Sequence, residues 1–209
     1  IFCNDEFAIL GSIVTFALIK TNYMESFYRT HRYLVEHIDV PIRRGLMDEI
    51  DWKDRLIGIK GTRGVGKTSF LLQYAKEKFG TDRSCLYLNM NNLYFSNFRL
   101  VEFAEKFVKD GGQVLLIAQM FKYADWSHDL YECYHKLPEL KIVFTGSSVM
   151  RLKEENTELG GLVKVYYLRG LSFREFLNQQ SGNSFRPYTL DEILNNQEVT
   201  IVAHVVYDA

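Results

Sequence analysis

The run Gly61-Thr62-Arg63-Gly64-Val65-Gly66-Lys67-Thr68 places glycines, a lysine and a hydroxyl at the spacing GxxxxGK[ST]. Those residue types suit a polyphosphate. The glycines let the backbone curl so that successive amide N–H groups face inward onto phosphate oxygens. A helix starting at the lysine adds the positive end of its dipole. Lys67 would reach the β- and γ-phosphates as a point charge, and the Thr68 hydroxyl, with Ser69 next to it, would ligate Mg²⁺.

Such a loop works only between a strand and a helix, and the flanks supply both. Arg55 to Lys60 reads as a strand, and Thr68 to Phe79 carries apolar residues at helical spacing. Further along, strand-like runs at Cys85 to Met90, Val114 to Ile117, Lys141 to Thr145 and Leu162 to Leu168 alternate with helical stretches. Those helices are expected over Leu100 to Val108, Trp126 to His135 and Ser172 to about Gln179. Five strands alternating with helices predict a three-layer α/β domain with a five-stranded parallel sheet covered on both faces.

A phosphate loop of this kind normally works with an acid at the end of a neighbouring buried strand, which holds the Mg²⁺ hydration shell. After Val114-Leu115-Leu116-Ile117 the chain has Ala118 and Gln119. Alanine cannot hold a metal-bound water. Gln119 can orient a water but, being neutral, cannot take its proton. Asp125 is the nearest carboxylate along the chain, and as the N-cap of the helix starting near Trp126 it has a structural role of its own.

The tracts GIKGTRGVGKTSFLLQYA, VLLI followed by FKYADWS, KIVFTGSS and LRGLSFREFL, in that order, resemble the AAA+ P-loop ATPases of the archaeal-ATPase-like branch. The resemblance runs from about Met24 to Gln180. It implies a P-loop NTPase fold in which the KIVFT strand lies between the P-loop strand and the VLLI strand. It also implies ATP and Mg²⁺ as ligands, and puts Thr145, with Ser147 and Ser148, at a sensor position near the γ-phosphate. Arg169 and Arg174 become candidates for a phosphate-sensing or trans-acting arginine, against a surface ion pair with Glu175 or another acid. Relatives typically carry Asp-Glu where this chain has Ala118-Gln119. The expected activity is therefore ATP binding with hydrolysis weak or absent, Gln119 and Thr145 being the remaining catalytic candidates. The alternatives are an active ATPase that uses Asp125 or a partner subunit for the missing acid, and a non-functional fragment that retains the fold.

The domain is expected over residues 24–182, with an apolar N-terminal extension at 1–23 and a tail at 183–209 that begins a lid region and includes the strand-like run Val199 to Val206. The apolar run Phe7 to Ile19 falls short of the ~20 residues that span a bilayer, so a membrane is not the expected partner. With 209 residues, 47% hydrophobic and 24% charged, a globular core is affordable. A net charge of -1 gives no general pull toward nucleic acid. The expected partners are a nucleotide and another protein or further copies of the chain. Cys3, Cys85 and Cys133 lack any CxxC pair, which argues against disulfides or structural zinc and for the cytoplasm. His128, Glu132, Cys133 and His135 share a predicted helix but fall short of a metal site. The aromatics Tyr94, Phe95 and Phe98 read as core packing and Asn89, Asn91 and Asn92 as loop caps. Arg29, His31, Arg32, Arg43 and Arg44 read as basic residues on solvated helix faces.

Overall fold

Residues 23–147, 159–182, 185–186 and 188–195 are described by a computed structural model, and in it the expected apolar runs form strands. These are β1 (Leu56–Gly61), β2 (Cys85–Asn89), β3 (Val114–Ala118), β4 (Lys141–Ser147) and β5 (Lys164–Tyr167). They make one all-parallel sheet in the order β2-β3-β4-β1-β5. The KIVFT strand does lie between the P-loop strand and the VLLI strand. Ser148, residues 1–22 and the run Val199 to Val206 lie outside the described residues.

Side chains alternate across a strand, and here the two sets enter two separate apolar layers. Leu56, Leu86, Leu88, Leu115, Ile117, Ile142 and Phe144 pack on one face, against α4 (Leu100–Lys109) and α5 (Trp126–Lys136). Ile57, Ile59, Cys85, Tyr87, Leu116 and Val143 pack on the other, against Phe70, Leu71, Tyr74 and Ala75 of α3 (Lys67–Lys78). Burial on both faces explains why β1 to β4 are largely continuous apolar runs, whereas β5, at the edge of the sheet, is only partly buried. The layers are helix, sheet, helix.

A further helix, α1, covers residues 23–37. Its buried residues Met24, Phe27, Tyr28, His31 and Val35 recur at the spacing of one helical stripe. Phe27 meets Phe95 and Phe103 at ring-centroid distances of 5.8 and 5.1 Å. The His31 imidazole accepts a 3.0 Å hydrogen bond at Nδ1 from the backbone N–H of Tyr87, on the outermost strand β2. An edge strand's unpaired donor is thereby satisfied. His31 is thus a buried polar group, not part of a basic surface. Arg29, Arg32 and Arg43 are exposed as expected, whereas Arg44 is buried. The aromatic run behaves as read: Tyr94 and Phe98 stack at 4.6 Å, and the Asn92 and Asn89 side chains accept from the N–H groups of Tyr94 and Asn91.

The chain divides into a larger unit, residues 1–40 and 46–169, and a smaller one, residues 41–45 and 170–209. In the larger unit, α2 spans Leu46–Glu49. The smaller unit holds α6 (Phe173–Ser181) and α7 (Leu190–Leu194). Ser172 and Glu175 form a reciprocal capping box at the start of α6. Arg44 Nε donates to Glu175 Oε1 at 3.1 Å, and the Gly45 N–H does so at 2.9 Å. Burial opposes ionisation of Glu175, but the donors Ser172, Gly45 and Arg44 outweigh it and hold the carboxyl below its usual range. Glu175, considered as an ion-pair partner of Arg169 or Arg174, is paired with Arg44.

Candidate functional site

β1 ends at Gly61 and α3 begins at Lys67, so the glycine-rich run turns the chain through a tight loop at the C-terminal edge of the sheet. Gly64 and Gly66 hold φ of 87° and 89°, a left-handed conformation, with nothing within 4 Å of a Cβ built on either. Side chains other than glycine's adopt it at a cost. Gly66 is also the N-cap of α3 and offers no side-chain hydrogen bond, so the first-turn N–H groups of α3 are not capped by it. The loop has the left-handed glycines and the open space that a phosphate cradle requires.

Lys67 reaches back over this cradle, its Nζ donating to the carbonyls of Gly61 and Thr62 at 2.7 Å each. Partial burial holds its ammonium below the usual lysine range. Thr68 stands beside the Tyr87 hydroxyl, which also interacts with Asn89. Burial raises the Tyr87 phenol's pKa, and hydrogen bonding to Thr68 and Asn89 draws it part of the way back.

The loop opens into a cavity of about 740 Å³ lined by Gly61, Arg63, Gly64, Gly66, Lys67, Thr68, Asn91, Gln119, Phe121, Lys122, Thr145 and Ser147. The structure thus brings most of the candidate residues to one place. Of the others, Thr62 serves through its carbonyl and Val65 packs against the apolar layer beneath the loop. Neither these two nor Ser69 lines the cavity.

Thr145 is 2% exposed in the interior of β4, paired with Ile59, while Ser147 ends the strand beside Gly61. The Thr145 Oγ1 accepts a 3.2 Å bond from the Gln119 N–H, which leaves the threonine's own hydrogen to donate. Ala118 is fully buried at the end of β3. Gln119 follows in the left-handed conformation, φ 57°, as the only non-glycine residue with positive φ among the described residues. It opens the 3-10 turn Met120–Lys122, which carries Phe121 and Lys122 to the cavity.

Asn91, Phe121 and Lys122 were not expected here. A signal for them existed, because open α/β sheets bind ligands at the carboxyl ends of their strands, and these residues directly follow β2 and β3. Asp125 occupies the N-cap position of α5, but its side chain makes no capping bond, so the cap role expected of it is not observed. It is exposed and does not line the cavity. Among the described residues no group of three His, Cys, Asp or Glu side chains is arranged to hold a metal. Cys133, weighed as a ligand, is fully buried.

The fit to a triphosphate is good: open space over Gly64 and Gly66, and the cations Arg63, Lys67 and Lys122 on the cavity wall. The fit to Mg²⁺ is poor. Among the described residues the wall offers the hydroxyls of Thr68, Thr145 and Ser147 and the neutral carboxamides of Asn91 and Gln119, and no carboxylate.

A glycine-rich loop between strand and helix at the edge of a five-stranded parallel sheet defines a P-loop NTPase fold. The AAA domain family matches residues 53–177, and the chain belongs to that family as a nucleotide-binding, AAA-type domain. No curated protein matches it. Among solved structures it is similar to PCH-2 of C. elegans, at 16% identity over 77% of this chain and 44% of that one, TM-score 0.43. A structure on katanin self-assembly shares 14% identity over 65% of this chain and 48% of its own, TM-score 0.42. The chain spans less than half the length of either. No helix among the described residues is long and apolar enough to cross a membrane.

Proposed function

We propose that the domain binds ATP and turns it over slowly or not at all, so that the nucleotide acts as a bound ligand or switch. Lys67, Thr68 and the amides of residues 61–69 would hold the phosphates, and Thr145 or Ser147 would read the γ end. The observation that carries this reading is the end of β3. There, a fully buried Ala118 and a neutral Gln119 stand at the carboxylate positions of the resembling family, and no described carboxylate lines the cavity. The ordered sequence tracts favour the archaeal-ATPase-like branch. Cys85 and Cys133 are buried free thiols, each pushed up to about 12 by burial, which favours a packing role and fits the reducing cytoplasm. Asp125, exposed and off the cavity wall, lends no support to an active ATPase built on it.

The test is titration with a fluorescent ATP analogue alongside a phosphate-release assay, each with a Lys67→Ala control. Binding that depends on Lys67, with no release, is expected. Mg²⁺-dependent release that disappears in Lys67→Ala would overturn the proposal. Restored turnover in Ala118→Asp/Gln119→Glu, its fold checked by thermal melting because Ala118 is buried, would identify the missing acids as the reason for inactivity.

A further inference from the structure

Deepening that reading, and resting on it, we infer that the site takes the metal-free nucleoside triphosphate, with Lys122 supplying the positive charge that a bound divalent cation supplies elsewhere. A cation in such a site offsets the charge of the β- and γ-phosphate oxygens and is itself held by anionic oxygen. This wall is built the other way. Arg63, Lys67 and Lys122 line it, and the other described polar side chains on it, Thr68, Asn91, Gln119, Thr145 and Ser147, are neutral.

Lys122 leaves the turn that follows β3, the strand whose end would carry the metal-holding acid. It is exposed and pairs with no carboxylate among the described residues, its ammonium lying 5.6 Å from the centre of the Phe121 ring. The ammonium is therefore available to an incoming anion without first breaking an ion pair. A lysine and a divalent cation compete for the same phosphate oxygens, and each repels the other. A wall with a lysine and no carboxylate among the described residues favours the lysine.

The experiment is a titration of the full chain with a fluorescent ATP analogue, once in EDTA and once in excess Mg²⁺, for wild type, Lys122→Gln and Lys122→Arg. Wild type should bind within about threefold in the two buffers, whereas Lys122→Gln should lose about tenfold or more in EDTA, as befits one charge-assisted phosphate contact. Mg²⁺ should restore much of that loss, and Lys122→Arg should stay close to wild type. Unchanged melting temperatures will show that the variants fold. Wild type that binds only with Mg²⁺ overturns the inference and leaves nucleotide binding intact. So does a Lys122→Gln variant that tracks wild type in both buffers. Wild type that binds in neither buffer, or binds as well after Lys67→Ala, brings down the nucleotide reading itself.

Discussion

Replacing Asp129 by alanine should destabilise the domain more than any surface substitution, and the structure sets the size. The Asp129 side chain is fully buried on α5 and accepts from four donor atoms on three other residues. Its Oδ2 takes the Leu100 N–H at 2.9 Å and the Tyr123 hydroxyl at 2.6 Å, and its Oδ1 takes the Arg99 guanidinium. Leu100 is the first residue of α4, and Arg99 at its N-cap position makes no side-chain cap bond, so a carboxylate from another helix does the capping. Burial and the adjacent carboxylate push the Tyr123 phenol up, which keeps it a donor. Hydrogen bonds to a charged group contribute about 1.5–3 kcal/mol each. The two buried ones therefore set a loss of about 3–6 kcal/mol, close to the range for orphaning one side of a buried charged contact. The Arg99 side chain is 46% exposed and can turn to water, so its share is discounted to about 0–1 kcal/mol. At about 2–4 °C per kcal/mol for a domain of this size, a fall of roughly 6–24 °C follows. Scanning calorimetry or circular dichroism will measure it, with Asp129→Asn, which keeps one acceptor oxygen, losing about half as much. A fall below about 3 °C for Asp129→Ala would refute the reasoning, because it would mean that water or another side chain satisfies Leu100 and Tyr123.

Two further outcomes are expected. Burial lowers the His31 pKa from 6.5, the Gly80 carbonyl opposing part of the shift, and its Nδ1 is committed as an acceptor. Between the lowered folded value and about 6.5, the unfolded chain binds a proton that the folded chain does not, so stability is full above that range and declines as pH falls through it. Urea midpoints at pH 7.5 and 5.5 should show a larger drop for wild type than for His31→Gln, and equal drops would contradict the assignment. Gln119→Gly should raise stability by about 0.5–1 kcal/mol, because glycine alone adopts the left-handed conformation freely. A lowered melting temperature would show that the Gln119 side chain repays the strain.

The core of the fold is legible in the sequence because its strands are buried on both faces. LIGIK, VLLI and KIVF are uninterrupted apolar runs bounded by glycine or polar residues, and the phosphate loop fixes which comes first. The place of the KIVFT strand between the P-loop strand and the VLLI strand is implied by the resemblance alone, and the positions of β2 and β5 are not legible, since periodicity carries no information about which strand lies beside which. α1 was legible and unread: Met24, Phe27, Tyr28, His31 and Val35 have the spacing of a helix face, but a histidine in the stripe and a basic flank suggested solvent. Asp129 was not legible. A carboxylate between His128 and Leu130 looks like any surface acid until the tertiary fold brings Leu100 and Tyr123 against it.

The turn from Gln119 to Tyr123 is clamped at both ends. Its first N–H is bonded to Thr145 on β4, and its last hydroxyl to the buried Asp129. A segment fixed in that way holds Phe121 and Lys122 at the cavity without ordering them anew when an anion arrives, which favours binding through preorganisation. It also makes this turn a poor mover. The group that has to change is Lys67, whose ammonium is held by the carbonyls of Gly61 and Thr62 at 2.7 Å each. It can meet a phosphate fully only by exchanging those bonds. If the proposed nucleotide switch holds, its moving part would be the glycine-rich loop, where Gly64 and Gly66 permit rearrangement, and its fixed part the β3–α5 turn.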